Sequence, residues 1–184
     1  MARAPVLHDA VRRIRRVEYE LLVEAGFFSH ERVELLYGTI VCMSPKGPAH
    51  ETAIAILTER LILRIRHEAS VRVQSGFAAS DGSEPEPDIA VVPRNDHRTA
   101  HPDKAFFLIE VADSSLLTDR TTKAQLYAEC GVPEYWVVNV RDGIVEVHTE
   151  IVAGAYTRVQ PYRPGSIVRP AAFPDVEIAV SDIL

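Results

Sequence analysis

Two short apolar runs that each carry one carboxylate constrain this chain more than any other feature: DIAVV at 88–92 and AFFLIEV at 105–111. Both are rich in β-branched and aromatic residues and too short for buried helices, so they read as strands. The segment between them, 93–104, contains Pro93, Asn95 and Pro102 and reads as a loop. An antiparallel pairing across that loop sets Val92 opposite Phe106, Ala90 opposite Leu108, and Asp88 opposite Glu110. Alternation then brings both carboxylates to one face of the sheet, with Cβ atoms roughly 5 Å apart. A slip of one residue would send one of them to the other face. Opposed carboxylates repel, so the pair calls for a raised pKa, a nearby cation or a divalent metal. Pro85 and Pro87 flank Glu86 just upstream. Their fixed φ angles stiffen the entry to Asp88.

The acidic residues concentrate around this pair. Residues 81–119 hold nine acids against three bases, a local excess equal to the net charge of the whole chain, −6. Asp81, Glu84, Asp96 and Asp103 read as solvated loop residues, whereas Asp88 and Glu110 adjoin apolar strand positions. Lys123 follows Glu110 by thirteen residues, with Tyr127 and Cys130 at i+4 and i+7. That spacing gives it an inward face from which the ammonium reaches the carboxylates. The alternative is a surface lysine paired with Asp119 at i−4.

The remaining pattern is a mixture of helices and hairpins in a single domain, 1–184, with a basic N-terminal segment at 1–16. Val17, Leu21, Leu22 and Ala25 form a helical stripe that Gly26 can end. VELLYGTIVCM reads as a hairpin turning at Tyr37-Gly38, and SPKGPAH as a loop. Ile54, Leu57, Leu61 and Ile65 mark one face of a helix. A strand at 71–77 follows, then the carboxylate strands and a helix at 119–130 that ends at Gly131. A hairpin turns at Arg141-Asp142-Gly143, and weaker strands lie at 156–160 and 166–170. This order predicts an α+β (mixed α/β) fold, a central mixed or antiparallel sheet flanked by helices, not a doubly wound parallel sheet.

At 184 residues with 47% hydrophobic content, the chain can build a core without disulfide or metal support. No run approaches the roughly 18 apolar residues of a membrane span, and the basic start lacks the apolar stretch of a secretory signal. With Cys42 and Cys130 as its thiols, the chain reads as cytoplasmic. The acidic charge argues against nucleic-acid binding by bulk attraction.

The combination PEPDIAVV, FFLIEVADSS and DR–K–Y–GVPEYWVV, together with the VELLYGTIVCMSP hairpin, resembles the Uma-type restriction endonuclease family, a branch of the PD-(D/E)XK nuclease superfamily. The similarity runs from about Tyr19 to the C-terminal strands. It implies a restriction-endonuclease-like core and a metal-dependent cut in DNA. By that resemblance Asp88 and Glu110 match the metal-binding acids, and Lys123 matches a lysine moved from its usual place two residues after the acid, here Ala112, to the following helix. Glu34 matches an acid early in the hairpin and is a further candidate ligand. Gln74 and His50 also fall on motif positions, without an assignable role. Ala112-Asp113-Ser114-Ser115 departs from the leucine-serine-proline run common in relatives. A Mg²⁺ or Mn²⁺ ion held by Asp88 and Glu110 would activate water and polarise a phosphate oxygen, with Lys123 as a positive point charge.

Three functions stay open at this point: a DNA endonuclease, an inactive nucleic-acid-binding or regulatory module on the same fold, and a small-molecule phosphoesterase. The arginines at 12–16 and 60–66 could supply a basic strip if they share a face with the site, and a homodimer would suit cleavage of two strands. His97 and His101 read as a solvated pair rather than a zinc site. Ser114-Ser115 lack a nucleophile elbow, Cys130 reads as core, and Tyr135 and Trp136 as core and edge.

Overall fold

The computed structural model describes residues 11–184. Arg3 and the rest of residues 1–10 lie outside the described residues. The chain runs α1 (Arg16–Glu24), β1 (Val33–Leu36), β2 (Thr39–Cys42), α2 (Pro48–Ile65), β3 (Ser70–Val73), β4 (Ile89–Val92), β5 (Phe107–Ala112), α3 (Leu116–Thr118), a π-helical turn (Asp119–Lys123), α4 (Ala124–Glu129), β6 (Tyr135–Asn139), β7 (Ile144–Val152), β8 (Ala155–Tyr162), β9 (Ile167–Val168), β10 (Ile178–Ala179) and α5 (Val180–Ile183).

Strands β3 to β8 form one six-stranded sheet in sequence order. Every neighbouring pair is antiparallel except β5 and β6, which run parallel because the helical crossover α3–α4 connects them. β4 and β5 pair in the expected register, with Ile89 opposite Ile109, Ala90 opposite Leu108 and Val91 opposite Phe107.

Alternation sorts the sheet into two cores. Ile89, Val91, Ile109, Val111, Trp136 and Val138 pack with Leu57, Leu61 and Ile65 of α2. Ala90, Val92, Leu108, Ala112, Tyr135 and Val137 face Ala124, Leu126 and Tyr127 of α4. Even-numbered positions of β4 and β5 therefore face the crossover helix, and Asp88 and Glu110 share that parity. The β1–β2 hairpin joins the sheet's periphery where Leu35 exchanges backbone hydrogen bonds with Glu84.

Several expectations change at the boundaries. Helix α2 begins earlier than its apolar stripe, because Pro48 occupies the first turn, where its missing N–H has no helical partner to lose. The strand expected at 71–77 stops at Val73, since Gln74 adopts φ 47°. The expected 119–130 helix is a π turn followed by α4. The α1 stripe faces out: Val17 and Leu21 are exposed, and Tyr19 is the residue buried, its hydroxyl donating to the Val33 carbonyl at 2.9 Å. Tyr135 and Trp136 are both fully buried, because β6 is a central strand covered on its two faces.

Candidate active site

Asp88 sits one residue before β4 and is held from three directions. Its Oδ2 accepts the Val111 backbone N–H at 2.9 Å, which ties it to β5, and lies 3.1 Å from His50 Nε2 in the first turns of α2. Its Oδ1 accepts a hydrogen bond from Lys46 Nζ at 2.8 Å. Burial raises the Asp88 carboxyl, but His50 and Lys46 together outweigh it and bring the pKa down to about 2. Asp88 is thus firmly ionised.

Glu110, in the middle of β5, accepts from Lys123 Nζ at 2.9 Å and from the Tyr127 hydroxyl at 2.8 Å, both on Oε1. Lys123 Nζ also lies 3.1 Å from Glu34 Oε2, which takes the Glu86 backbone N–H at 3.1 Å. The β1–β2 hairpin, the crossover helix and the central strand thus meet on one ammonium. Lys123 and Asp119 are both buried, at 5% and 1% exposure, so the reading of a solvated surface pair does not hold. Burial drives the Glu110 carboxyl well up, against the pull of Lys123. Asp119 is raised by burial too. Burial alone would lower the Lys123 ammonium, but Glu110, Glu34 and Asp119 hold it above its ordinary value.

Glu34, Asp88, Glu110, Asp119, Lys46, His50 and Lys123 line one cavity of about 170 Å³. Four enclosed carboxylates stand against two ammonium groups, the fifth, Asp113 at the rim, being paired with Arg141, so two negative charges stay uncompensated when all are ionised. That excess matches a divalent cation, and the donors are hard oxygens of the kind Mg²⁺ and Mn²⁺ take. Asp119 Oδ1 is buried with no hydrogen-bond partner. The residues therefore fit such an ion chemically. Among the described residues, no three His, Cys, Asp or Glu side chains converge on a ready-made metal position as they stand. Ammonium groups hold the carboxylates instead.

Of the residues singled out in the sequence, Asp88, Glu110, Lys123, Glu34 and His50 come together here. Gln74 does not line this cavity. Its backbone N–H donates to the Asp88 carbonyl at 3.0 Å, and the residue lines an adjoining cavity with Arg32 and Val73. Asp113 sits at the rim, half-exposed and 3.1 Å from Arg141. Neither arginine cluster lines the central cavity: Arg12 and Arg16 pair with Glu18 and Glu20, Arg60 with Asp182, and Arg64 and Arg66 edge a separate surface cavity. His97 and His101 do not form a site with three protein ligands; His101 lies 3.5 Å from Glu84. Sequence reasoning missed Lys46, Asp119 and the Tyr127 hydroxyl. The i, i+4 ladder Asp119–Lys123–Tyr127 could have shown two of them, whereas nothing in the Pro-Lys-Gly loop marks Lys46.

No helix among the described residues is long and apolar enough to cross a membrane. No curated protein sequence matches the chain. The fold is similar to the crystal structure of a protein from Anabaena variabilis ATCC 29413, described as a putative nuclease, at a TM-score of 0.69 and 15% identity over 83% of this chain and 89% of that one. A family model described as "Putative restriction endonuclease" matches residues 17–181, a span that holds β1 to β10 and every side chain of the central cavity, and the chain accordingly belongs to the Uma2 family.

Proposed function

We propose that the chain is a divalent-metal-dependent endonuclease that hydrolyses phosphodiester bonds of DNA. The observation that carries this reading is the buried Lys123 ammonium, bridged between Glu34 and Glu110 in the same cavity as ionised Asp88. Asp88 and Glu110 would hold Mg²⁺ or Mn²⁺, with Glu34 as a further oxygen donor. Such an ion supplies Lewis acidity to water and phosphate. Lys123 places a fixed positive charge where the phosphate gains negative charge, in a site that excludes bulk water and so strengthens the interaction. The Tyr127 hydroxyl fixes the rotamer of Glu110, and His50 with the Val111 N–H fixes that of Asp88. These groups keep the carboxylates aimed into the cavity without reorganisation during the reaction.

Supercoiled plasmid incubated with Mg²⁺ or Mn²⁺ tests the reading, beside a generic phosphodiester substrate that would reveal a small-molecule phosphoesterase. Asp88→Asn, Glu110→Gln and Lys123→Met should each lower cleavage by about a hundredfold or more, the scale of a lost electrostatic contact to the transition state. Intact circular-dichroism spectra would exclude unfolding. Wild-type protein that nicks no plasmid with either ion refutes the proposal. One observation favours a second reading, a binding or regulatory module without activity: the net charge of −6, with no arginine among the described residues lining the central cavity. DNA binding without cleavage would select it. A homodimer would suit two-strand cleavage, and sedimentation with and without DNA tests that.

A further inference from the structure

Of the two ammonium groups in the cavity, Lys46 is the one to which the proposed chemistry gives no task. It belongs to the loop between β2 and α2, at residues 43–47, and its Nζ donates a hydrogen bond to Asp88 Oδ1 at 2.8 Å. The other oxygen of Asp88 already serves Val111 and His50. Asp88 therefore has both oxygens engaged, and the Lys46 contact is the one that can be released without breaking the sheet or unseating α2. Lysine carries its ammonium on a long unbranched stem, and the same loop lines two cavities. On its far side lies a second cavity of about 490 Å³, lined by Lys46 again with Arg32, Glu51, Ile54 and Gln74. Glu51 and Gln74 offer oxygen acceptors there for an ammonium that leaves Asp88.

We infer that Lys46 is a displaceable stand-in for the divalent cation: its ammonium neutralises Asp88, competes with the ion for Oδ1, and moves into the second cavity when the ion binds. The inference rests on the metal-dependent reading above and deepens it. Removing the competing ammonium takes one positive charge out of the site and frees Oδ1. Both changes favour the cation. A buried residue that merely supported the fold would act in the opposite sense, since its loss would loosen the cavity and weaken binding.

Titration calorimetry with MnCl₂ on the full chain tests this, comparing wild type with Lys46→Met, Lys46→Gln, Lys46→Arg and Asp88→Asn. Loss of one charge-assisted hydrogen bond from the competing state corresponds to about tenfold or more in affinity. Lys46→Met and Lys46→Gln should therefore bind Mn²⁺ at least about tenfold more tightly. Lys46→Arg, which keeps the cation, should stay close to wild type, and Asp88→Asn should lose most of the binding. Folding of each variant is checked by circular dichroism, and the Gln variant keeps the comparison in hand if Met packs poorly. Equal or weaker Mn²⁺ binding in both neutral variants, with wild type binding normally, overturns the competition and leaves the nuclease reading intact. Absence of Mn²⁺ binding in wild type and variants alike overturns the metal-dependent reading, and the inference with it.

Discussion

Glu84 supplies the sharpest test of how the hairpin that carries Glu34 is fastened to the sheet. Its backbone exchanges hydrogen bonds with Leu35 at 2.8 and 3.2 Å, beside the residue that reaches Lys123. Its side chain is 8% exposed, and Oε2 has no hydrogen-bond partner. Burial and the neighbouring Glu20 carboxylate push its pKa from 4.5 up to about 7, with Arg16 pulling weakly the other way. The folded chain therefore holds this proton more tightly than the unfolded one. Stability falls as pH rises from about 4.5 through about 7, and the loss is complete above that. The ceiling is roughly 3 kcal/mol from the size of the pKa change. Solvent at the mouth of the adjoining cavity screens it, so we expect about 1–2 kcal/mol. Glu84→Gln keeps the shape and removes the ionisation. Urea denaturation at pH 5 and pH 8.5 should show the variant gaining about 1–2 kcal/mol on wild type between the two. His101, whose pKa burial lowers, acts in the opposite direction, and because it lies 3.5 Å from Glu84 the same comparison in a His101→Gln background separates the two contributions. A gap independent of pH would refute the argument.

Other substitutions follow from packing and hydrogen bonding. Leu57→Ala empties a fully buried position between α2 and the sheet and should cost about 2–5 kcal/mol in urea unfolding. Tyr127→Phe keeps the ring but removes the donor to Glu110, and should cost about 1–3 kcal/mol in metal-free buffer. Gly38→Ala should release the segment around Arg13, because the added Cβ would lie 2.5 Å from Arg13 Cβ at a residue with φ +75°. Faster tryptic cleavage before α1, with the rest of the domain protected, is the expected outcome.

The carboxylate pair was legible in the sequence because two local signals agree on it. Alternation fixes the faces of DIAVV and FFLIE, and a loop rich in turn residues fixes their antiparallel sense, so the register follows and β4–β5 shows it. Lys123 was legible for a similar reason, its inward neighbours recurring at helical spacing. What a local pattern does not carry is the identity of the partner surface. The α1 stripe fits a helix with one apolar face, yet the hydrogen bond from Tyr19 to Val33 rotates the helix so that Val17 and Leu21 face out. The parallel pairing of β5 with β6 needs a crossover whose length is readable but whose docking is not. Lys46 was invisible, because a lysine between Pro45 and Gly47 has the sequence signature of an ordinary exposed loop. Only the fold brings α2 and β4 together beneath it.

The position of Lys123 depends on a departure from ideal helix geometry. In an α-helix, residues four apart drift around the axis, so a ladder from 119 to 127 would splay away from a single strand. Here the Ala124 N–H bonds to the Asp119 carbonyl, five residues back, which widens the turn. Asp119, Lys123 and Tyr127 then all point at the sheet, with exposures of 1%, 5% and 0%. Single π turns are rare and recur at functional sites, since their hydrogen bonds alone do not favour them. The contacts of Lys123 with Glu34 and Glu110 offset that disadvantage, so the turn and the ion pairs sustain each other. Ala112 completes the logic. It is fully enclosed, in the cluster that contains Leu36, Ala124 and Tyr127. A long side chain on the strand there would push the crossover helix off the sheet. A small residue at 112 is thus the condition for bringing the helix close enough that its lysine, instead of one on the strand, reaches Glu110.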